Sequence, residues 1–144
     1  MTSAEDRARL LSLIKSKAVE IRSEGFILAS GKKSNLYVDL RRITQNPEGI
    51  NLIGRLVLAK VRELAPNSRC VGGLETGSIP IATAVAMLSL QGGNPINAFW
   101  VRKKLKDHGM QNRIEGNLEK GAEVVMLDDT ITTGGSTIQA IEAV

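Results

Sequence analysis

Val124-Val125-Met126-Leu127-Asp128-Asp129-Thr130-Ile131-Thr132-Thr133-Gly134-Gly135-Ser136-Thr137 joins an apolar run to two adjacent carboxylates and then to a loop of hydroxyl and glycine residues. Val124 to Leu127 lack the period-two alternation of a half-exposed strand, so they read as a strand covered on both faces inside a parallel sheet. Ligands of open parallel sheets bind beyond the carboxyl ends of the strands, and Asp128 and Asp129 stand at that end. A carboxylate pair there accepts hydrogen bonds from vicinal hydroxyls. From Thr132 to Ser136 the chain brings successive backbone N–H groups close to an anion, with glycines permitting the approach and Ser136 opening a helix over Thr137 to Val144. Carboxylates for hydroxyls, followed by a turn for an anion, suit a sugar phosphate.

Two plainer readings compete. Asp128 and Asp129 can simply end a strand, with Thr133-Gly134-Gly135-Ser136 an ordinary loop and helix cap. The order of strand, carboxylates, loop and helix is what favours a site. An apolar run ending in two aspartates also resembles the metal-holding strand of a P-loop nucleotide hydrolase, a class that needs a phosphate loop elsewhere. The nearest candidate, Gly25 through Gly31-Lys32-Lys33-Ser34, has one residue too many between its glycines and a second lysine before the serine. A strand-like segment follows it where a helix should begin.

At 144 residues the chain is one domain, small for a doubly wound enzyme but able to bury a core. With 42% hydrophobic and 24% charged residues it reads as soluble and globular. No membrane span is evident, and charges within the first ten residues interrupt any signal-peptide core, so a cytoplasmic protein is expected. The single Cys70 reads as a buried strand residue. A net charge of +4 calls for an anionic partner. Nucleic acid is not expected, because Phe26, Tyr37, Phe99 and Trp100 are the only aromatics and no basic stripe interleaves with them. A substrate bearing several phosphates explains the charge more economically.

Apolar spacing predicts an amphipathic helix over Ser3 to Ser23, capped by Ser3, then short strands at Phe26 to Leu28 and Leu36 to Leu40 around a polar loop. A helix from Pro47 to about Leu64 follows, then a buried strand at Cys70 to Gly73, a helix near Ile79 to Leu90, and strands near Ile96 to Val101 and Glu123 to Leu127. Strands alternating with helices imply parallel pairing and right-handed crossovers. The turn Gly73-Leu74-Glu75-Thr76-Gly77-Ser78-Ile79-Pro80 leaves the first buried strand and enters a helix, aiming N–H groups at an anion, though glycine-bearing turns of this kind are common. Arg102 to Gly116 is a long polar connection whose first part, Arg102-Lys103-Lys104-Leu105-Lys106-Asp107-His108, sets four cations against one anion. Alone it is a solvated charge run; beginning where a strand ends beside the proposed site, it reads as functional.

Val124 to Ser136 matches the thirteen-residue phosphoribosyl pyrophosphate (PRPP) signature of the type I phosphoribosyltransferases. Phe26 to Arg41, Gly72 to Ala86 and Arg102 to Gly116 resemble the orotate phosphoribosyltransferase branch of that family, so the resemblance covers nearly the whole chain. It implies an α/β type I phosphoribosyltransferase fold, with a parallel sheet flanked by helices over about 47–144 and a small hood from about 1–40. The implied reaction transfers ribose 5-phosphate from PRPP to orotate, with Mg²⁺ as cofactor and no side chain assigned as its direct ligand. The resemblance assigns PRPP to Asp128, Asp129, Thr130, Ile131, Thr132, Thr133, Gly134, Gly135 and Ser136, and pyrophosphate to the loop Glu75, Thr76, Gly77, Ser78. Glu75 is suited to hold magnesium-bound water, and Thr132 also to touch the base. Arg102, Lys103, Lys106 and His108, the only histidine, map onto a catalytic loop that closes over the neighbouring subunit's site in a homodimer. Lys103, Lys106, His108, Asp128 and Asp129 are the expected catalytic set.

The chain departs from the family pattern in three places. Gly77 stands where many members carry a lysine, and Ala29 where many carry a substrate-contacting lysine. Relatives also continue past the position of Val144 with another strand and an arginine that grips the orotate carboxylate, so a missing C-terminal strand and helix are expected and no residue takes that role. A PRPP-binding regulator, an inactive truncated paralogue, or a transferase for another nucleobase are the alternatives.

Overall fold

The computed structural model describes residues 3–27, 31, 33–104 and 112–144. Its centre is a four-stranded sheet built from β3 (Cys70–Gly72), β4 (Asn97–Val101), β5 (Ile114–Gly116) and β6 (Val124–Met126), in the spatial order β5-β4-β3-β6. β3 runs parallel to β4 and to β6, with Cys70 opposite Asn97 and Val124, while β5 pairs antiparallel with β4. The parallel sheet expected from Val124 to Leu127 is present, with one difference. β6 pairs with β3 on one side only, and its three residues are half-buried rather than buried.

Two helices cover one face. α3 (Pro47–Leu64) and α4 (Ser78–Gln91) contribute Val61, Ala82 and Val85 to a cluster with Val71 and Ile96, against which Val125 and Leu127 pack. On the other face, α5 (Gly135–Ile141) places Ala140 with Cys70, Phe99 and Val101, against Val124 and Met126. Alternate residues of β6 thus serve opposite faces, as the pleat requires. Because α4 leaves β3 toward one face and α5 leaves β6 toward the other, a crevice opens where the two strands end.

α3 follows the expected boundaries because its cap is local. The Asn46 carboxamide accepts from the Gly49 N–H at 3.0 Å, and Pro47 occupies the first turn, where its missing donor costs nothing. The N-terminal segment corrects the expected boundaries. α1 (Ser3–Lys17) ends six residues before Ser23, and β1 (Val19–Ile27) pairs antiparallel with β2 (Lys33–Val38), Val19 opposite Val38 and Ile21 opposite Leu36. Val19-Glu20-Ile21-Arg22 alternates apolar and charged residues, so pairing with β2 outweighs the helical pattern that precedes it. The single helical turn α2 (Arg41–Thr44) was not expected, nor was β5, a three-residue strand within the long polar connection. Leu13, Ala18, Ile43 and Leu52 form a third cluster that fixes α1 and α2 to α3. Among the described residues, no helix is long and apolar enough to cross a membrane.

Phe99 is 1% exposed, and a side chain at Gly72 on the adjacent strand would collide with its backbone and ring. Phe99→Ala is expected to lower the unfolding free energy by about 3–5 kcal/mol in urea titration. Leu64→Ala, at a residue 75% exposed, is expected to cost under about 0.5 kcal/mol. Equal losses at the two positions would contradict this burial.

Candidate active site

The turns after β3 and β6 are brought together by a hydrogen bond from the Leu127 N–H to the Gly72 carbonyl at 2.6 Å. Gly73 then passes so close to the Leu127 carbonyl that any Cβ there would overlap it, which explains a glycine at this position without reference to chemistry. Beyond this crossing lies a cleft of about 430 Å³ with three walls. One is the turn Leu74, Glu75, Thr76, Gly77 and Pro80; the second is Asp128, Asp129, Thr130 and Ser136; the third is Arg41, Thr44 and Gln45. Lys103 completes the lining.

The expected donor residues converge here in large part. The Asp129 N–H donates to Asp128 Oδ1 at 3.0 Å, and the Thr137 hydroxyl lies 3.5 Å from Asp128 Oδ2, so the first carboxylate is oriented from its own turn and from α5. Burial and the neighbouring Asp129 charge, in that order, raise the Asp128 pKa above the ordinary aspartate value. Asp129 faces Gly77 so closely that a Cβ there would strike its carboxylate. The absence of a side chain at Gly77 is therefore matched to Asp129 across the cleft. Glu75 Oε1 accepts from the Lys103 N–H at 2.9 Å, and the Glu75 N–H donates to the Val101 carbonyl at 2.8 Å. These bonds tie the start of the basic segment to the turn after β3.

Other expected residues sit elsewhere. Ser78 is fully buried, and its hydroxyl donates to the Leu74 carbonyl at 2.8 Å, so it braces the turn from inside. Ile131 is 67% exposed; Thr132, Thr133, Gly134 and Gly135 are absent from the lining and carry the chain into α5. Gly134 makes that entry in the left-handed region, φ 78°, which a glycine adopts without strain. Arg102 is also absent from the lining, its Nη1 lying 3.6 Å from Glu115 Oε1 across the β4–β5 pair. Lys106 and His108 lie outside the described residues, as does Ala29. Sequence reasoning missed the third wall and the part played by Thr137. Arg41 ended the family-like segment Phe26 to Arg41 but carried no chemical signal of its own, and Thr44 and Gln45 carried none.

Glu75, Asp128 and Asp129 put three carboxylates on the walls of one cleft. Among the described residues no group of three His, Cys, Asp or Glu side chains is placed to hold a metal ion by itself. That donor set fits magnesium, which dehydrates reluctantly and is bound by one or two carboxylates together with substrate phosphates.

No family model matches the chain. The orotate phosphoribosyltransferase of Aquifex aeolicus is 45% identical to it over 139 residues, which cover 96% of this chain and 75% of that protein. The orotate phosphoribosyltransferase of Methanocaldococcus jannaschii is 41% identical over 140 residues, 97% of this chain and 74% of that one. Among solved structures, the Mycobacterium tuberculosis H37Rv orotate phosphoribosyltransferase in complex with PRPP aligns with a TM-score of 0.74 at 34% identity, covering 96% of this chain and 67% of that one. The chain thus spans about three quarters of the length of the two curated relatives. With such identity along nearly its whole length and the fold in common, the chain belongs to the orotate phosphoribosyltransferase family.

Proposed function

We propose that the chain transfers the ribose 5-phosphate group of PRPP to orotate, giving orotidine 5′-monophosphate and pyrophosphate, a step of cytoplasmic pyrimidine synthesis. The observation that carries this reading is the meeting of the Asp128–Asp129 pair, the Glu75–Gly77 turn and Lys103 in one cleft. Breaking the bond from the anomeric carbon to pyrophosphate builds positive charge on the ribose and negative charge on the leaving group. No covalent nucleophile is required, so the residues act by positioning and by charge.

Asp128 and Asp129 accept from the two ribose hydroxyls and place a negative field beside the developing cation. The Thr132 to Ser136 segment receives the 5′-phosphate, and Thr132 borders the base. Backbone groups of Glu75, Thr76 and Gly77, with the Lys103 ammonium, hold the pyrophosphate. Magnesium, when bound, screens the charge of the departing pyrophosphate, and Glu75, Asp128 and Asp129 are the residues that would hold its water shell. Lys106 and His108 extend the cation set, with His108 supplying a proton near neutral pH. Lys103 lines the cleft of its own chain. We assign the reach across a homodimer to the more distal residues of the loop, Lys106 and His108.

Incubation with PRPP, magnesium and orotate is expected to release pyrophosphate and form orotidine 5′-monophosphate; no release at saturating substrates would count against the reaction. Asp128→Asn is expected to lower kcat/KM for PRPP roughly 10–100-fold, the worth of a hydrogen bond to a charged group. The same substitution has a signed effect on stability. The folded-state pKa of Asp128 is raised, so the ionised carboxylate destabilises the fold at neutral pH, and the penalty disappears as pH falls through that raised value toward the unfolded one. Thermal melts should therefore show Asp128→Asn more stable than wild type at pH 7 and equal to it in acid; a variant less stable at pH 7 would reverse the sign. Mixing two impaired variants, Lys106→Ala and Asp128→Asn, is expected to restore about a quarter of wild-type activity if random dimers form and each loop serves its partner. Activity no greater than the two variants alone would contradict exchange of loops.

A further inference from the structure

The turn after β3 is braced by a side chain that takes no part in the cleft lining. We propose that Ser78 is a positioning residue for pyrophosphate: its hydroxyl holds the Leu74 carbonyl and fixes the turn in the shape that offers the N–H groups of Thr76, Gly77 and Ser78 to an anion. The proposal rests on the transferase reading above and deepens it by naming what sets the geometry of its pyrophosphate wall.

The hydrogen bonds of the turn supply the first argument. A buried carbonyl needs a donor, and a buried N–H an acceptor. The Gly73 carbonyl accepts from the Val101 N–H at 2.8 Å, and the Thr76 carbonyl from the Ile79 N–H at 3.3 Å. The Glu75 N–H donates to the Val101 carbonyl at 2.8 Å. The Leu74 carbonyl, on a residue 5% exposed, accepts from the Ser78 hydroxyl at 2.8 Å, and no other donor among the described residues reaches it. The N–H groups of Thr76, Gly77 and Ser78 have no acceptor among the described residues. Adjacent donors are thus left for a ligand on the turn that lines the cleft.

The reach of the hydroxyl supplies the second. A carbonyl four residues back is the acceptor that the Ser78 N–H would itself take if the helix began one turn earlier. By bonding that carbonyl with its side chain, Ser78 competes with its own backbone and releases the N–H. Ser78 is fully buried, and a Cβ at Gly73 would come within 2.9 Å of the Ser78 Cβ. The brace therefore lies in the packed layer beneath the crossing of the two turns, shielded from solvent.

Continuity supplies the third. Leu74 directly precedes Glu75, whose carboxylate accepts from the Lys103 N–H at 2.9 Å. A shift of the Leu74 peptide would move the acidic turn and the start of the basic segment together.

Ser89 provides a matched control. It too is fully buried, and near the other end of α4 its hydroxyl donates to the Ala86 carbonyl at 2.7 Å, away from the cleft lining. Calorimetric titration of PRPP with magnesium into Ser78→Ala is expected to give a Kd roughly tenfold above wild type, the scale of one lost hydrogen bond. Steady-state kinetics should show the KM for PRPP rising in step, with the KM for orotate within about twofold of wild type. Ser89→Ala is expected to lower the melting temperature at least as much while leaving the Kd for PRPP within about twofold. Ser78→Cys, close in volume and a weaker donor, is expected to fall between wild type and alanine and carries the test should the alanine variant fail to fold. An unchanged Kd in the Ser78 variants, or an equal loss of PRPP affinity in Ser89→Ala, would overturn the assignment. Wild-type protein run in parallel separates the failures. If it turns over orotate while the Ser78 variants bind PRPP as it does, the role of Ser78 alone is wrong; if it does not turn over orotate, the transferase reading falls and takes this one with it.

Discussion

The site depends on the parallel pairing of β3 with β6. Leu127 N–H bonds the Gly72 carbonyl, and Gly73 slides past the Leu127 carbonyl with no room for a side chain. That contact sets the two turns side by side, one bearing Glu75 to Gly77 and the other Asp128 and Asp129. The opposite departures of α4 and α5 then open the crevice between them. A side chain at Gly73 would force the strand ends apart and displace two walls of the cleft at once.

The same arrangement concentrates negative charge in a partly desolvated place. Asp128 carries the cost, its pKa raised by burial and by Asp129, and it forms no ion pair among the described residues. Strain of this kind is tolerated where a ligand relieves it, and in the proposed function a polyphosphate arriving with a divalent ion would do so. Arg41 and Lys103 stand on the cleft lining, the Arg41 guanidinium clamped by Asp39 and the Lys103 backbone tethered by Glu75. The Arg41 cation is thus positioned by an acidic partner in the unliganded protein, which reduces its ordering cost on binding an anion.

The Asp128–Asp129 wall of the cleft was legible because its signals are local. The Val124 to Leu127 run, the aspartate pair and the glycine turn are contiguous, and the chemistry follows from their order. The start of α3 was legible for the same reason, since Asn46 and Pro47 mark it within two residues. What sequence missed depends on distant partners. Val19 to Arg22 extends because Leu36 to Val38 lies opposite, and Ile114 to Gly116 is a strand only because Phe99 to Val101 offers an edge. Arg102 faces Glu115 through that same unanticipated pair. The third wall was hidden because one helical turn of Arg41-Arg42-Ile43-Thr44 has no periodicity to detect, although buried Ile43 anchors it.

The central claim is that Asp128 and Asp129 are a ribose-hydroxyl site and the Glu75 turn a pyrophosphate site. A crystal structure of the protein with PRPP and magnesium, without acceptor, addresses it most directly. The account predicts both ribose hydroxyls within hydrogen-bond distance of the Asp128 and Asp129 carboxylates, with the pyrophosphate against Glu75, Thr76 and Gly77. PRPP bound with a phosphate at the aspartate pair, or seated away from this cleft, would contradict it.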